Sequence, residues 1–196
     1  MKTDGGATTV LQLMISFLLV AITASGVVGD QKEPVLDFQG RLVATNVRYF
    51  LGVQFGDRGK WVSRVIQSGF TCPEGEVMRK LPLTYDPVIF ESSSDYVLSV
   101  STELNIKFAR PSLCGGSDYW RVEDSSSPIK PVVLNGTKSS NDSTFTIQKF
   151  GGSYKLVFGS ADKPTDIGLQ KVQFQELRMI LSNDSAFTIS IFPAQF

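Results

Sequence analysis

The chain has 196 residues, 19 Lys plus Arg balanced by 19 Asp plus Glu, 2 cysteines and no histidine. Balanced charge excludes the basic stripe of a nucleic-acid footprint and the basic amphipathic helix of a membrane-surface protein. Without histidine there is no Ser-His-Asp or Cys-His catalytic arrangement, and two cysteines alone make a poor zinc site.

In chain order, Lys2 is followed by the apolar run Val10–Ala24 and then by small residues in SGVVGD. This reads as a secretory signal, residues 1–29, cleaved after Gly26 or Gly29. It is too short for a membrane anchor, and no basic stop-transfer cluster follows. Residues 30–196 are then one domain, long enough for a real core and too short for two. After cleavage no membrane partner is expected.

Beyond residue 30 short strand signals recur, broken by Gly, Pro, Ser and Asp, with almost no helical stripe. LNIKF puts Leu104, Ile106 and Phe108 on one side. TFTIQKF aligns Phe145 with Ile147, and YKLVF aligns Tyr154, Leu156 and Phe158. ELRMIL and FTISIF do the same for Leu177, Met179 and Leu181, and for Phe187, Ile189 and Ile191. Period two makes these sheet faces with a common core. Closure would remove free strand edges, but periodicity alone does not separate a barrel from a sandwich.

Chemical motifs are weak. Asp86, Glu91 and Asp95 lack the signs of a glycosidase carboxylate pair, and GDRGK (Gly56–Lys60) has no phosphate-loop spacing and reads as a turn. Trp61 and Trp120 read as core or rim. Cys72 and Cys114 form one disulfide in an oxidising compartment, or else are two buried thiols. Asn135, Asn141 and Asn183 open Asn-x-Ser/Thr sequons, credible glycosylation sites on surface turns of a secreted chain. No enzyme, cofactor or metal is expected. Binding remains.

Several segments together resemble the plant Kunitz-type inhibitors, the soybean trypsin inhibitor-like and miraculin-like proteins. They are PVLDFQGRLVATNVRYFLGV, with Asp37, Gly40, Tyr49 and Phe50, then TCPEGEV, LPLTYDPV and STELNIKF. Cys114 followed by DYWRVED, then FTIQKFGGSYKLVF, DIGL and FTISIF complete the series. The resemblance spans the chain after the signal. It implies an all-β fold, a β-trefoil of twelve strands in three pseudo-repeats with one disulfide, Cys72 to Cys114. It also implies a monomer secreted to the apoplast or delivered to the vacuole, with a target protease as partner and a role in plant defence. Gly159 stands where the family's YKLVF motif continues into a further cysteine, so the second disulfide is absent.

Members of that family insert an exposed loop into a serine protease. The resemblance points to a loop from about Asp86 to Tyr96, with Asp86, Pro87, Val88, Ile89, Phe90 and Glu91 as its reactive residues and Ile89 filling the primary pocket. Neither Lys nor Arg occurs from Leu81 through Ile106. The target is therefore a chymotrypsin-like or elastase-like protease rather than trypsin. Loop support falls to Thr45 or its neighbour Asn46, where the family uses an asparagine. Two other readings stand beside this one. Val88–Phe90 begin an internal strand, or the fold serves non-inhibitory defence, storage or small-ligand and carbohydrate binding.

Overall fold

The computed structural model describes residues 32–55, 58–64, 77–80, 86–93, 95–112, 115–124, 126, 128–172, 177–184 and 186–194. The expected signal segment, Cys72 and Cys114 lie outside the described residues, as do Gly56 and Asp57 of the expected turn.

The elements follow the period-two pattern. β1 (Arg48–Phe55) buries Tyr49, Leu51 and Val53 and turns Phe50 and Gly52 to its other face. β2 (Arg58–Arg64), β3 (Val77–Lys80), β4 (Val88–Glu91), β5 (Asn105–Phe108), β6 (Arg121–Val122) and β7 (Val132–Val133) follow. After one 3-10 turn at Asn141–Ser143 come β8 (Phe145–Phe150), β9 (Ser153–Phe158) and β10 (Thr165–Lys171). β11 (Leu177–Leu181) and β12 (Thr188–Pro193) end the series. Gly151 and Gly152, at φ 56° and 79°, link β8 to β9. Two consecutive positive φ values make the tight hairpin turn that glycine accepts without steric cost.

Antiparallel ladders run β12–β9–β10–β11–β3–β2–β1–β4–β5, with β8 on β9, and β6–β7 form a separate pair. β1 also pairs β12 in register Tyr49↔Pro193 through Gln54↔Thr188, so the path returns on itself. The sheet therefore curls around one core. Trp120, Phe90, Phe145, Leu98, Ile106, Ile147, Leu156 and Ile189 are among its largest fully buried side chains. Trp120 and Phe145 meet edge to face at 6.4 Å.

The expected fold class needs correction. The sheet is all-β and curled, consistent with a β-trefoil-like fold, and no disulfide is present among the described residues, Cys72 and Cys114 lying outside them. Closure among the described residues comes from strand pairing. The β1–β12 ladder joins the two ends of the domain, and each fully buried Leu, Ile or Phe contributes about 2 kcal/mol. A domain of this size does not need a covalent staple.

Candidate functional site

Of the expected reactive loop, the structure makes a strand. Val88 and Phe90 are fully buried, and Phe90 packs against Tyr49 with ring centroids 6.0 Å apart. Ile89 is half-buried on the other face, between Arg48 of β1 and Lys107 of β5. The Pro87 carbonyl accepts the Ala109 N–H at 2.8 Å. Asp86 accepts from the Ser63 hydroxyl at 2.9 Å and the Arg64 N–H at 3.2 Å, which ties β2 to the start of β4. Val88–Glu91 pair with β5, and Val88 and Ile89 pair with β1 as well, so this stretch is part of the sheet. Val88–Glu91 form a strand, as the internal-strand reading expects, and Val88 and Phe90 face the core rather than solvent.

The exposed segment begins one residue later. Ser92, Ser93, Asp95 and Tyr96 connect β4 to a stretch that pairs with the N-terminal residues, Ala44 bridging Val97. Ser94 lies outside the described residues. Tyr96 is 75% exposed. A large aromatic left so open is notable because its backbone is fixed on one side. The Thr45 N–H donates to the Tyr96 carbonyl at 2.8 Å, and the Leu98 N–H to the Val43 carbonyl at 2.8 Å.

Thr45 adds a side-chain contact. Its hydroxyl lies 3.0 Å from the Asp95 carbonyl oxygen and 3.2 Å from that of Tyr96. It has one proton to give, so the two carbonyls share it. Asn46, at φ 62°, contributes its backbone N–H to the Phe90 carbonyl at 2.8 Å. Left-handed backbone suits asparagine better than most residues. Adjacent positions thus hold both ends of the segment, Asn46 at the end of β4 and Thr45 beyond Asp95.

Glu91 closes β4 and is the strongest electrostatic feature nearby. Its side chain is 7% exposed and accepts the Tyr119 hydroxyl at 2.8 Å. Lys107 reaches it at 2.5 Å and Lys138 at 2.8 Å. Burial pushes the carboxyl up, but hydrogen bonds from Lys107, Lys138 and Tyr119 outweigh it and hold the pKa at about 2 against an ordinary 4.5. The same contacts raise Lys107 and Lys138 above their ordinary values.

A polar cleft of about 210 Å³ opens beside this group, lined by Glu91, Ser93, Asn105, Lys138, Ser139 and Asn141 among others. A second, aromatic one of about 200 Å³ lies elsewhere, lined by Phe38, Gly52, Trp61 and Phe192. Among the described residues no three His, Cys, Asp or Glu side chains converge as a metal site would require. The sequon asparagines Asn135, Asn141 and Asn183 are all exposed.

Lys138 and Tyr119 escaped sequence reasoning, and Tyr96 stood only as the far end of the expected loop. The run SSSDY, turn composition ending in an exposed aromatic between two strands, was the available signal for Tyr96. Nothing local announces that residues 107, 119 and 138 meet at residue 91.

The legume Kunitz family model, described as "Trypsin and protease inhibitor", matches residues 35–192. Kunitz trypsin inhibitor 6 of Arabidopsis thaliana is 40% identical over 168 residues, 80% of this chain and 82% of that protein. Kunitz trypsin inhibitor 7 of the same plant is 36% identical over 82% of this chain and 85% of its own length. The solved structure of the trypsin inhibitor from soybean matches at TM-score 0.69 and 19% identity, covering 83% of this chain and all of that one. Sequence and fold converge: the chain belongs to the plant Kunitz-type family of protease inhibitors, whose members are not enzymes.

Proposed function

We propose that the protein is a secreted inhibitor that offers Ser92–Val97 to the active site of a serine endopeptidase with apolar specificity, Tyr96 being its principal contact. The carrying observation is Tyr96 itself, 75% exposed on a backbone held by Thr45. A segment fixed before docking loses less conformational freedom on binding, and rigid aromatics make good anchors. Inhibition is then substrate-like occupation without productive turnover. The relatives are named trypsin inhibitors, yet this chain has neither Lys nor Arg from Leu81 through Ile106. An aromatic contact suits a chymotrypsin-like pocket instead. Residues 1–29 serve as the cleaved signal, and glycans attach at the exposed Asn135, Asn141 and Asn183.

The test is titration of the mature protein against chymotrypsin-like, elastase-like, trypsin-like and papain-like proteases. Inhibition of the chymotrypsin-like enzyme at sub-micromolar protein is expected. Silence against all serine proteases would remove the inhibitory reading, and inhibition of trypsin alone would remove the apolar specificity.

One observation favours a second reading, small-ligand or carbohydrate binding. Phe38 stacks on Phe192 at 4.7 Å, and Trp61 meets Phe192 edge-on at 4.9 Å. A Cβ on Gly52 would sit 2.8 Å from the Phe192 ring, so glycine keeps the slot between these rings open. Calorimetric titration with simple sugars and aromatic acids tests it.

A further inference from the structure

We propose that Glu91 and Lys138 form a clamp that positions the contact segment by tying its first residues to the loop between β7 and β8. This rests on the reading of Ser92–Val97 as the protease-facing segment. Glu91 is the last residue of β4, so whatever fixes its side chain fixes the point from which Ser92 departs. Lys138 comes from a different part of the chain and spans to Glu91 at 2.8 Å. Its loop is held in turn by Asn105, which donates to the Ser143 carbonyl at 2.7 Å and accepts the Ser139 N–H at 3.3 Å. Ser93 and Lys138 line the same polar cleft, so loop and contact segment face each other there.

The chemistry favours a positioning role over a purely structural one. Lys107 and Tyr119 already satisfy the buried carboxylate from the sheet side. Lys138 adds a further cation whose side chain is 54% exposed, so its removal opens no cavity in the core. What it supplies is a connection between two segments that share no strand pairing. A substrate-like inhibitor needs such connections, because a loosened segment is cut and released rather than retained.

The experiment compares Lys138→Gln, Glu91→Gln, Glu91→Asp and the double Gln variant with the parent, against the protease identified in the panel above. Three quantities are read: dissociation rate of the complex, rate of cleavage within residues 92–97, and melting temperature. Lys138→Gln is expected to raise the dissociation rate about tenfold and to speed cleavage, with the melting temperature within about 2 °C of the parent. The double variant should lose no more than Glu91→Gln alone, and Glu91→Asp should recover part of the loss. If Lys138→Gln changes only the melting temperature, or nothing, the clamp is overturned even where Glu91→Gln fails to fold. Tyr96→Ala in the same assay separates the two readings. A silent Lys138→Gln beside a damaging Tyr96→Ala removes the clamp alone, whereas silence of both removes the contact segment as well.

Discussion

The Thr45 hydroxyl lies 3.0 Å from the carbonyl oxygen of Asp95, fifty residues along the chain. Thr45 is only 2% exposed, so this contact is made away from solvent. Replacement by valine keeps the shape and removes the donor. Thr45→Val is expected to cost about 1 kcal/mol of stability and to weaken protease binding about tenfold. Inhibition constants and amide exchange of residues 95–97 measure it. An unchanged constant would show that the backbone contact alone fixes the segment.

Tyr96 is the reverse case, a side chain with little fold to hold. Because it is largely exposed, Tyr96→Ala should leave the denaturation midpoint within about 0.5 kcal/mol of the parent. Its effect should fall on the complex, a loss of about 2 kcal/mol in affinity if it is an anchor. Val88→Asp should behave the opposite way and unfold the protein, since it places a carboxylate on the fully buried face of the β1–β4–β5 ladder. Parallel melting curves and inhibition titrations distinguish the two.

Acid should act through Glu91. Its carboxyl titrates at about 2 in the fold and near 4.5 when ordinary, so the folded state holds the ionised form more strongly. The resulting stabilisation is complete above about pH 4.5 and disappears as pH falls through about 2, with an upper bound of about 3 kcal/mol. Asp37 is also lowered: burial opposes ionisation, but contacts from Arg41 and the Gln39 N–H outweigh it. Its contribution falls in the same direction. Urea midpoints of parent and Glu91→Gln should therefore differ at about pH 6 and converge at about pH 2. A constant difference would mean that Glu91 acts by shape rather than charge.

Two glycines should respond differently to alanine. A Cβ on buried Gly136 would stand 2.5 Å from the Ser143 hydroxyl and 2.6 Å from the Trp120 carbonyl oxygen. Gly136→Ala should cost about 3 kcal/mol through forced backbone movement, although the Asn-x-Thr sequon survives. Gly40 has open space around it and φ +76°, so Gly40→Ala should cost only about 1 kcal/mol of conformational strain. Thermal unfolding ranks them, and equal costs would contradict the close approach at Gly136.

The sequence showed its strands wherever one face is buried and the other is not. Leu104, Ile106 and Phe108, or Ile189 and Ile191, stand in alternation because they share a core. Val88–Phe90 follow the same rule with Ile89 turned outward, but Pro87 before them and the serines after look like loop punctuation. That local signal made a buried strand look like the start of a loop. Thr45 was legible only through resemblance, and its acceptors at residues 95 and 96 were not, because a hydroxyl carries no mark of its partner. The cations around Glu91 were illegible for the same reason. They come from β5 and a distant loop, brought together by strand order rather than by spacing.

β1 pairs with β12 over six residue pairs, and the Ala194 N–H still reaches the Arg48 carbonyl at 3.1 Å. During synthesis the first strand must therefore wait for the last. Until residues near 193 have emerged, Tyr49, Leu51 and Val53 have one unzipped edge and an unfinished core, a state prone to pairing with other chains. A C-terminal truncation short of Thr188 should thus give aggregation rather than a shorter inhibitor.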